Sequence, residues 1–241
     1  ASHDLRQPLH TVGLFAAALA MRPLDERSRE IATSINDALQ DLASELDALL
    51  DVSKLDAGVV KANVERVDLT RLLTRLRDAI EPVARQKGLE VLLRCPPGAW
   101  VDTDRLLLER VLRNLLDNAV KYTDNGWVHI EAVERLSVPA DGGPRGRRIE
   151  ITLRDTGCGI PESEQARVFE EFYQIDNAER DRRKGLGLGL SIVRRLVDLL
   201  GVRMTLHSEP GTGTRFMLSI EGGVSQVPSP ETSGPAAAST L

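Results

Sequence analysis

The chain has 241 residues, 41% of them hydrophobic and 28% charged, which is ordinary for a globular protein and enough for one or two compact domains. A formal charge of -5 and a pI near 5.5 exclude the broad phosphate-tracking surface of a nucleic-acid binder, so any anion must be held locally. Cys95 and Cys158 are too few and too isolated for a disulfide framework or a zinc cluster, and no apolar run reaches the roughly 20 residues of a membrane-spanning helix. The expectation is a soluble, cytoplasmic piece of a parent whose membrane attachment is open, with no direct membrane contact of its own.

Apolar residues at helical spacing (Leu5, Leu9, Val12, Ala16, Leu19) predict a first helix that stops at Arg22-Pro23. A second pattern runs from Asp25 to Leu55 through Ile31, Ile35, Leu39, Leu42, Leu46, Leu49 and Val52, with Gly58 closing it. Such an antiparallel hairpin faces little apolar surface inward. It must either pair into a dimeric four-helix bundle or pack on the rest of its own chain.

After Val67 the texture alternates between helix and strand. Helices are expected over 69–86, 104–122 and 190–200, and strands over 90–93, 127–133, 149–153, 203–207 and 214–220. Helices on one face of a mixed sheet make an α+β sandwich. The Gly-, Pro- and Arg-rich stretch 137–148 reads as a hairpin loop, and the Pro/Ser/Thr/Ala-rich end as a disordered tail. The domains expected are 1–62, 63–222 and a tail over 223–241.

Five stretches have residue types that nucleotide or phosphate chemistry could use. On the fourth helix Asn114, Asn118 and Lys121, spaced four and three apart, form one polar stripe that offers carboxamide oxygens to a hard cation beside a lysine. Alone, such a stripe is more often a solvated helix face. Asp155-Thr-Gly157-Cys-Gly159-Ile160 follows a strand, where glycines let backbone approach a ligand and Asp155 can accept from an exocyclic amine; strand, Asp and Gly also make an ordinary turn. Gly185-Leu186-Gly187-Leu188-Gly189 leads into a helix whose N-terminal amides suit phosphate. The charged segment before it, with Arg180, Arg182, Arg183 and Lys184, has the profile of a mobile lid or of a solvated charge run. Gly211-Thr-Gly213-Thr214, between two expected strands, reads either as a plain hairpin turn or as one whose Thr214 reaches a nucleotide base.

In this order the blocks resemble the sensor histidine kinases, whose ATPase domain shares a superfamily with the gyrase-type ATPases. Asn114 to Tyr122 is similar to the family's asparagine box, Asp155 to Ile160 to its first glycine box, Phe169-Glu-Glu-Phe172 to its phenylalanine box, and Gly185 to Leu190 to its second glycine box. Ser2-His3-Asp4-Leu5-Arg6-Gln7-Pro8 resembles the phosphoacceptor box.

The resemblance implies ATP and Mg²⁺ as cofactors, Asn118 with Asn114 as magnesium ligands, and Asp155 as the adenine acceptor. The remaining box residues and the lid bases would line the nucleotide site. It also implies autophosphorylation of His3 and transfer to an aspartate of a response-regulator receiver domain, in a homodimer. Asp4 is placed to hold or remove a proton of His3, and Pro8 removes a helix donor and predicts a kink there. His10, His129 and His207 match no motif. Where the family usually has Thr or Asn four residues after the histidine, this chain has Gln7, whose longer side chain changes how a hydrolytic water is oriented.

Two other functions fit these residues less well. A gyrase-type ATPase needs a water-activating glutamate where Asn114 stands, and a binding module that docks a receiver without kinase activity has no need of the full set of boxes. The Gly- and Pro-rich tail suggests a tether to a receiver domain in a hybrid kinase.

Overall fold

The computed structural model describes residues 2–23, 25–137, 146–175 and 186–224. Helices α1 (Ser2–Ala20) and α2 (Glu26–Asp56) pack on one another as a hairpin. Asp25 starts α2 by accepting from the Ser28 amide at 2.9 Å and the Ser28 hydroxyl at 2.8 Å. The hairpin leaves Val12, Leu14, Phe15, Leu19, Ile31, Ile35 and Leu42 exposed. Helix α1 runs through Pro8 without interruption.

The rest is a two-layer sandwich. In chain order it comprises β1 (Glu65–Asp68), α3 (Leu69–Gln86), β2 (Glu90–Arg94), β3 (Ala99–Thr103), α4 (Arg105–Lys121), β4 (Trp127–Ser137), β5 (Gly146–Asp155), α5 (Gly189–Leu200), β6 (Arg203–Glu209) and β7 (Gly213–Val224). Strands run in the order β1-β3-β7-β5-β4-β2, with β6 also on β7; among the described residues the β2–β4 pair is parallel and the others antiparallel. Alternation sends Val128, Ile130, Ile149, Ile151, Leu153, Phe216, Leu218 and Ile220 to one face. There they meet the apolar stripes of α3, α4 and α5, such as Leu73, Leu112 and Leu196.

The end of α2 joins this core through Ala48, Val52 and Leu55, with Asp51 paired to Arg110 and Asp56 to Arg195. The mixed-sheet sandwich agrees with expectation. Two short strands, β1 and β3, were not expected, and β4 and β5 extend into the stretch read as a loop, leaving 138–145 outside the described residues. The stretch assigned to the tail begins inside the sheet: Gly223 pairs with Trp100 and Val224 with Ala99, while 225–241 lie outside the described residues. Among the described residues no helix is long and apolar enough to cross a membrane.

Candidate active site

Helix α4 is capped at its start by Asp104, which accepts from the amides of Leu106 and Leu107. Its buried side (Leu108, Val111, Leu112, Leu115, Leu116) fixes the rotation of the helix and so brings Asn114, Asn118 and Lys121 to one half-buried stripe. The Asn114 Nδ2 donates to the carbonyl of Arg110 at 2.9 Å, one turn back, which leaves its Oδ1 turned away from its own helix. The start of α5 lies across that oxygen: a Cβ on Gly189 would stand 3.2 Å from Asn114 Oδ1 and 3.9 Å from Asn118 Nδ2. Among the described residues no side chain caps α5, so its first amides keep their hydrogen-bonding capacity beside the stripe.

A second pocket forms where β5 ends. Asp155 is only 8% exposed, and its Oδ1 accepts from the amides of Gly157 at 2.9 Å and Thr214 at 3.1 Å. Burial pushes its carboxyl above the usual aspartate range, partly offset by those two amides. Among the described residues no group hydrogen-bonds Oδ2. Gly157 sits so close to its surroundings that a Cβ would come within 2.4 Å of the Tyr122 carbonyl and 3.0 Å of the Thr123 hydroxyl. Thr123 is fully buried, and its Oγ1 has no partner among the described residues.

Hydrogen bonds between distant segments brace this pocket. The Ile160 amide donates to Ser208 Oγ at 2.8 Å, Ser208 and Thr214 hydroxyls lie 2.9 Å apart, and Gln165 Nε2 donates to the carbonyls of Ile160 and Ser208. Gly159 packs on the Glu209 carbonyl. The Cys158 amide donates to the Tyr122 carbonyl at 3.2 Å, and Lys121 Nζ lies 5.1 Å from the centre of the Tyr122 ring. Lys87, absent from the sequence reading, donates to the carbonyls of Val120, Lys121 and Thr123 and so caps the end of α4 beneath the pocket.

Phe169 leans into the core, whereas Phe172 is 58% exposed and held at φ 60, a left-handed conformation that is strained for a bulky side chain. The backbone of Phe172 and Tyr173 lies against Gly187, so the phenylalanine segment adjoins the second glycine segment. Leu188 is buried and Leu186 packs on the core. Arg182, Arg183, Lys184 and Gly185 lie outside the described residues. His3 and Asp4 are on α1, but their side chains lie outside the described residues, and Gln7 is exposed.

The site fits a nucleotide with a hard cation on three counts. Asn114 presents a free carboxamide oxygen, a glycine keeps a helix N-terminus close to it, and an unsatisfied hydroxyl stands beside a buried aspartate. Among the described residues no cluster of His, Cys, Asp and Glu can hold a metal, so a cation on this stripe would complete its shell from phosphate and water oxygens, as Mg²⁺ commonly does.

Residues 103–222 match the histidine kinase-, DNA gyrase B- and HSP90-like ATPases, and residues 1–58 the His Kinase A (phospho-acceptor) domain. The chain belongs to the sensor histidine kinases, of which it is a catalytic core with the domain architecture of two-component signalling proteins.

Among its relatives is the circadian input-output histidine kinase CikA of Synechococcus elongatus, 35% identical over 91% of this chain and 29% of that protein. Another is the virulence sensor protein BvgS of Bordetella bronchiseptica, 34% identical over 91% of this chain and 18% of that protein. The crystal structure of full-length ShkA in complex with AMPPNP superposes with a TM-score of 0.75 at 29% identity, covering 94% of this chain and 46% of that one. The chain thus spans less than a third of the length of these two relatives.

Proposed function

We propose that this chain binds ATP with Mg²⁺ in the pocket between α4, the end of β5 and the start of α5, and transfers the γ-phosphoryl group to its own His3. The observation that supports the reading is the start of α5 lying across the Asn114 and Asn118 carboxamides, with uncapped helix amides beside the Asn114 oxygen, a combination suited to a phosphate and a hard cation. Asp155 accepts from the adenine amine, Thr214 and Gly157 fix its carboxylate, and Lys121 with Arg182, Arg183 and Lys184 supplies positive charge around the phosphates. Asn118 and Asn114 hold the metal, whose chemistry when bound is to neutralise charge on the β- and γ-phosphate oxygens.

The acceptor is a neutral ring nitrogen of His3. Its attack forms a nitrogen–phosphorus bond and breaks the phosphorus–oxygen bond to the β-phosphate, ADP leaving with that electron pair. Asp4 holds the proton on the other ring nitrogen. Gln7 faces the same side of α1 as His3 and serves to orient a water for hydrolysis of a phosphorylated partner.

The hairpin, residues 1–62, pairs with a second copy through its exposed apolar residues such as Phe15 and Ile31, forming a four-helix bundle. The unit 63–222 carries the nucleotide, and an aspartate of a response-regulator receiver domain, in the same or another chain, takes the phosphoryl group. Asn118→Ala tests the site: Mg²⁺-dependent labelling from γ-labelled ATP should fall to background. Wild-type turnover in that variant would refute the assignment.

A further inference from the structure

The reverse face of the sheet plays no part in the proposed reaction. Strand alternation turns Asp155 toward the nucleotide pocket and its neighbour Arg154 to the opposite, outer face. On that face the register sets His129 of β4 opposite Arg154 of β5, Arg154 opposite Arg215 of β7, and Arg215 opposite His207 of β6. At about 4.8 Å between strands the row is roughly 14 Å long, and it contains no acid. Two arginines directly opposite one another disfavour strand pairing. Arg135 and Arg148 also stand opposite one another on this face, but there acids offset the charge: Arg135 pairs with Glu150 at 3.0 Å and Arg148 stands opposite Glu221.

Neither arginine of the row has an ion-pair or hydrogen-bond partner among the described residues. Arg154 lies instead over the Trp127 ring at 5.3 Å, and both arginines are exposed. The same face holds four buried polar atoms with no partner among the described residues: His129 Nε2, Arg148 Nε, Thr205 Oγ1 and Ser219 Oγ. A cleft of about 580 Å³ opens beside Arg154, His207 and Arg215.

We propose that this outer sheet face docks a protein partner through an acidic surface, with carboxylates seated on Arg154 and Arg215 and hydrogen-bonding groups on the orphaned atoms beside them. Charge complementarity selects that partner. The chain carries -5 overall, and this row sets two arginines side by side with no acid between them, which favours an acidic surface here. A small anion fits less well, because the orphaned atoms are spread over four strands, beyond the reach of one small ion. Arginine and tryptophan at the centre of a polar face are also the side chains in which protein interfaces are enriched.

Hexaglutamate titrated against the full chain at low ionic strength tests the proposal, read by tryptophan fluorescence, with inorganic phosphate as a second probe and sedimentation to follow self-association. Saturable hexaglutamate binding is expected, weakened on the order of tenfold by Arg215→Glu, while that variant melts at or above the wild-type temperature because a like-charge pair is gone. Should Arg215→Glu not fold, Arg215→Gln and Arg154→Gln should each weaken binding. Equal affinity of wild type and variants, or no saturable binding, overturns the proposal. Phosphate saturating the face as well as hexaglutamate would make it a small-anion site, and self-association lost in the variants would give it to a second copy; either result overturns it.

Discussion

Replacing Gly189 by alanine should separate the stability of this protein from its magnesium chemistry. The new Cβ would lie 3.2 Å from Asn114 Oδ1, tighter than an ordinary contact, so one of the two must yield by a few tenths of an ångström. Asn114 cannot swing away freely, because its Nδ2 is tied to the Arg110 carbonyl at 2.9 Å. Folding should lose little: the clash meets one side-chain oxygen, and alanine is favoured over glycine in helices by up to about 1 kcal/mol. A magnesium ligand tolerates far less, since near-octahedral geometry is demanded at about 2.0–2.1 Å. If a misplacement of about 1 Å costs roughly 10²-fold in rate, a few tenths should cost about threefold to tenfold. The assay is a Mg²⁺ titration of labelling from γ-labelled ATP beside a thermal melt. Expected are a melting temperature at or above wild type, a higher Mg²⁺ requirement and a lower maximal rate. An unchanged Mg²⁺ profile would refute the placing of Asn114 at the metal.

The raised carboxyl of Asp155 has two consequences of opposite sign. Its ionised form accepts the adenine amine better, so the affinity for an ATP analogue should fall on acidification at a pH above 3.8, and Asp155→Asn should flatten that profile. Because the folded-state pKa exceeds the unfolded one, its stability contribution is full below 3.8 and is lost as pH rises through the raised value, a trend urea unfolding in wild type and Asp155→Asn would resolve. Lys87→Met removes the donor to three carbonyls at the end of α4 and, the lysine being exposed, should cost about 1 kcal/mol. Faster amide exchange at the end of α4, including Tyr122 and Thr123, would accompany it.

The long helices were legible because their apolar stripes repeat over many turns: α3 begins and ends at Leu69 and Gln86 as the periodicity predicts. Strands β1 and β3 were not, for a physical reason. Glu65-Arg-Val-Asp68 buries only Val67, and Ala99–Thr103 follows directly on Pro96-Pro97-Gly98, which reads as a turn. Gly222 and Gly223 looked like linker residues for the same reason. Gly222 is in fact a close approach between strands, where a Cβ would stand 2.2 Å from the Trp100 carbonyl. At the site, Asn114, Asp155 and Gly189 were found from short local patterns. Lys87, Gln165 and Ser208 were missed because each acts on a partner more than thirty residues away in the chain, with no local signature. Thr123 gave no signal beyond its place after Tyr122, and only its burial marks it.

The central claim, ATP-dependent phosphorylation of His3, is tested most directly by incubating the chain and its His3→Gln variant with γ-labelled ATP and Mg²⁺ and treating both with acid and with base. The account predicts label that is lost in acid and kept in base on the wild type, none on His3→Gln, and equal affinity of both for an ATP analogue, because the acceptor helix and the nucleotide pocket are separate elements. Acid-labile label retained on His3→Gln would contradict it.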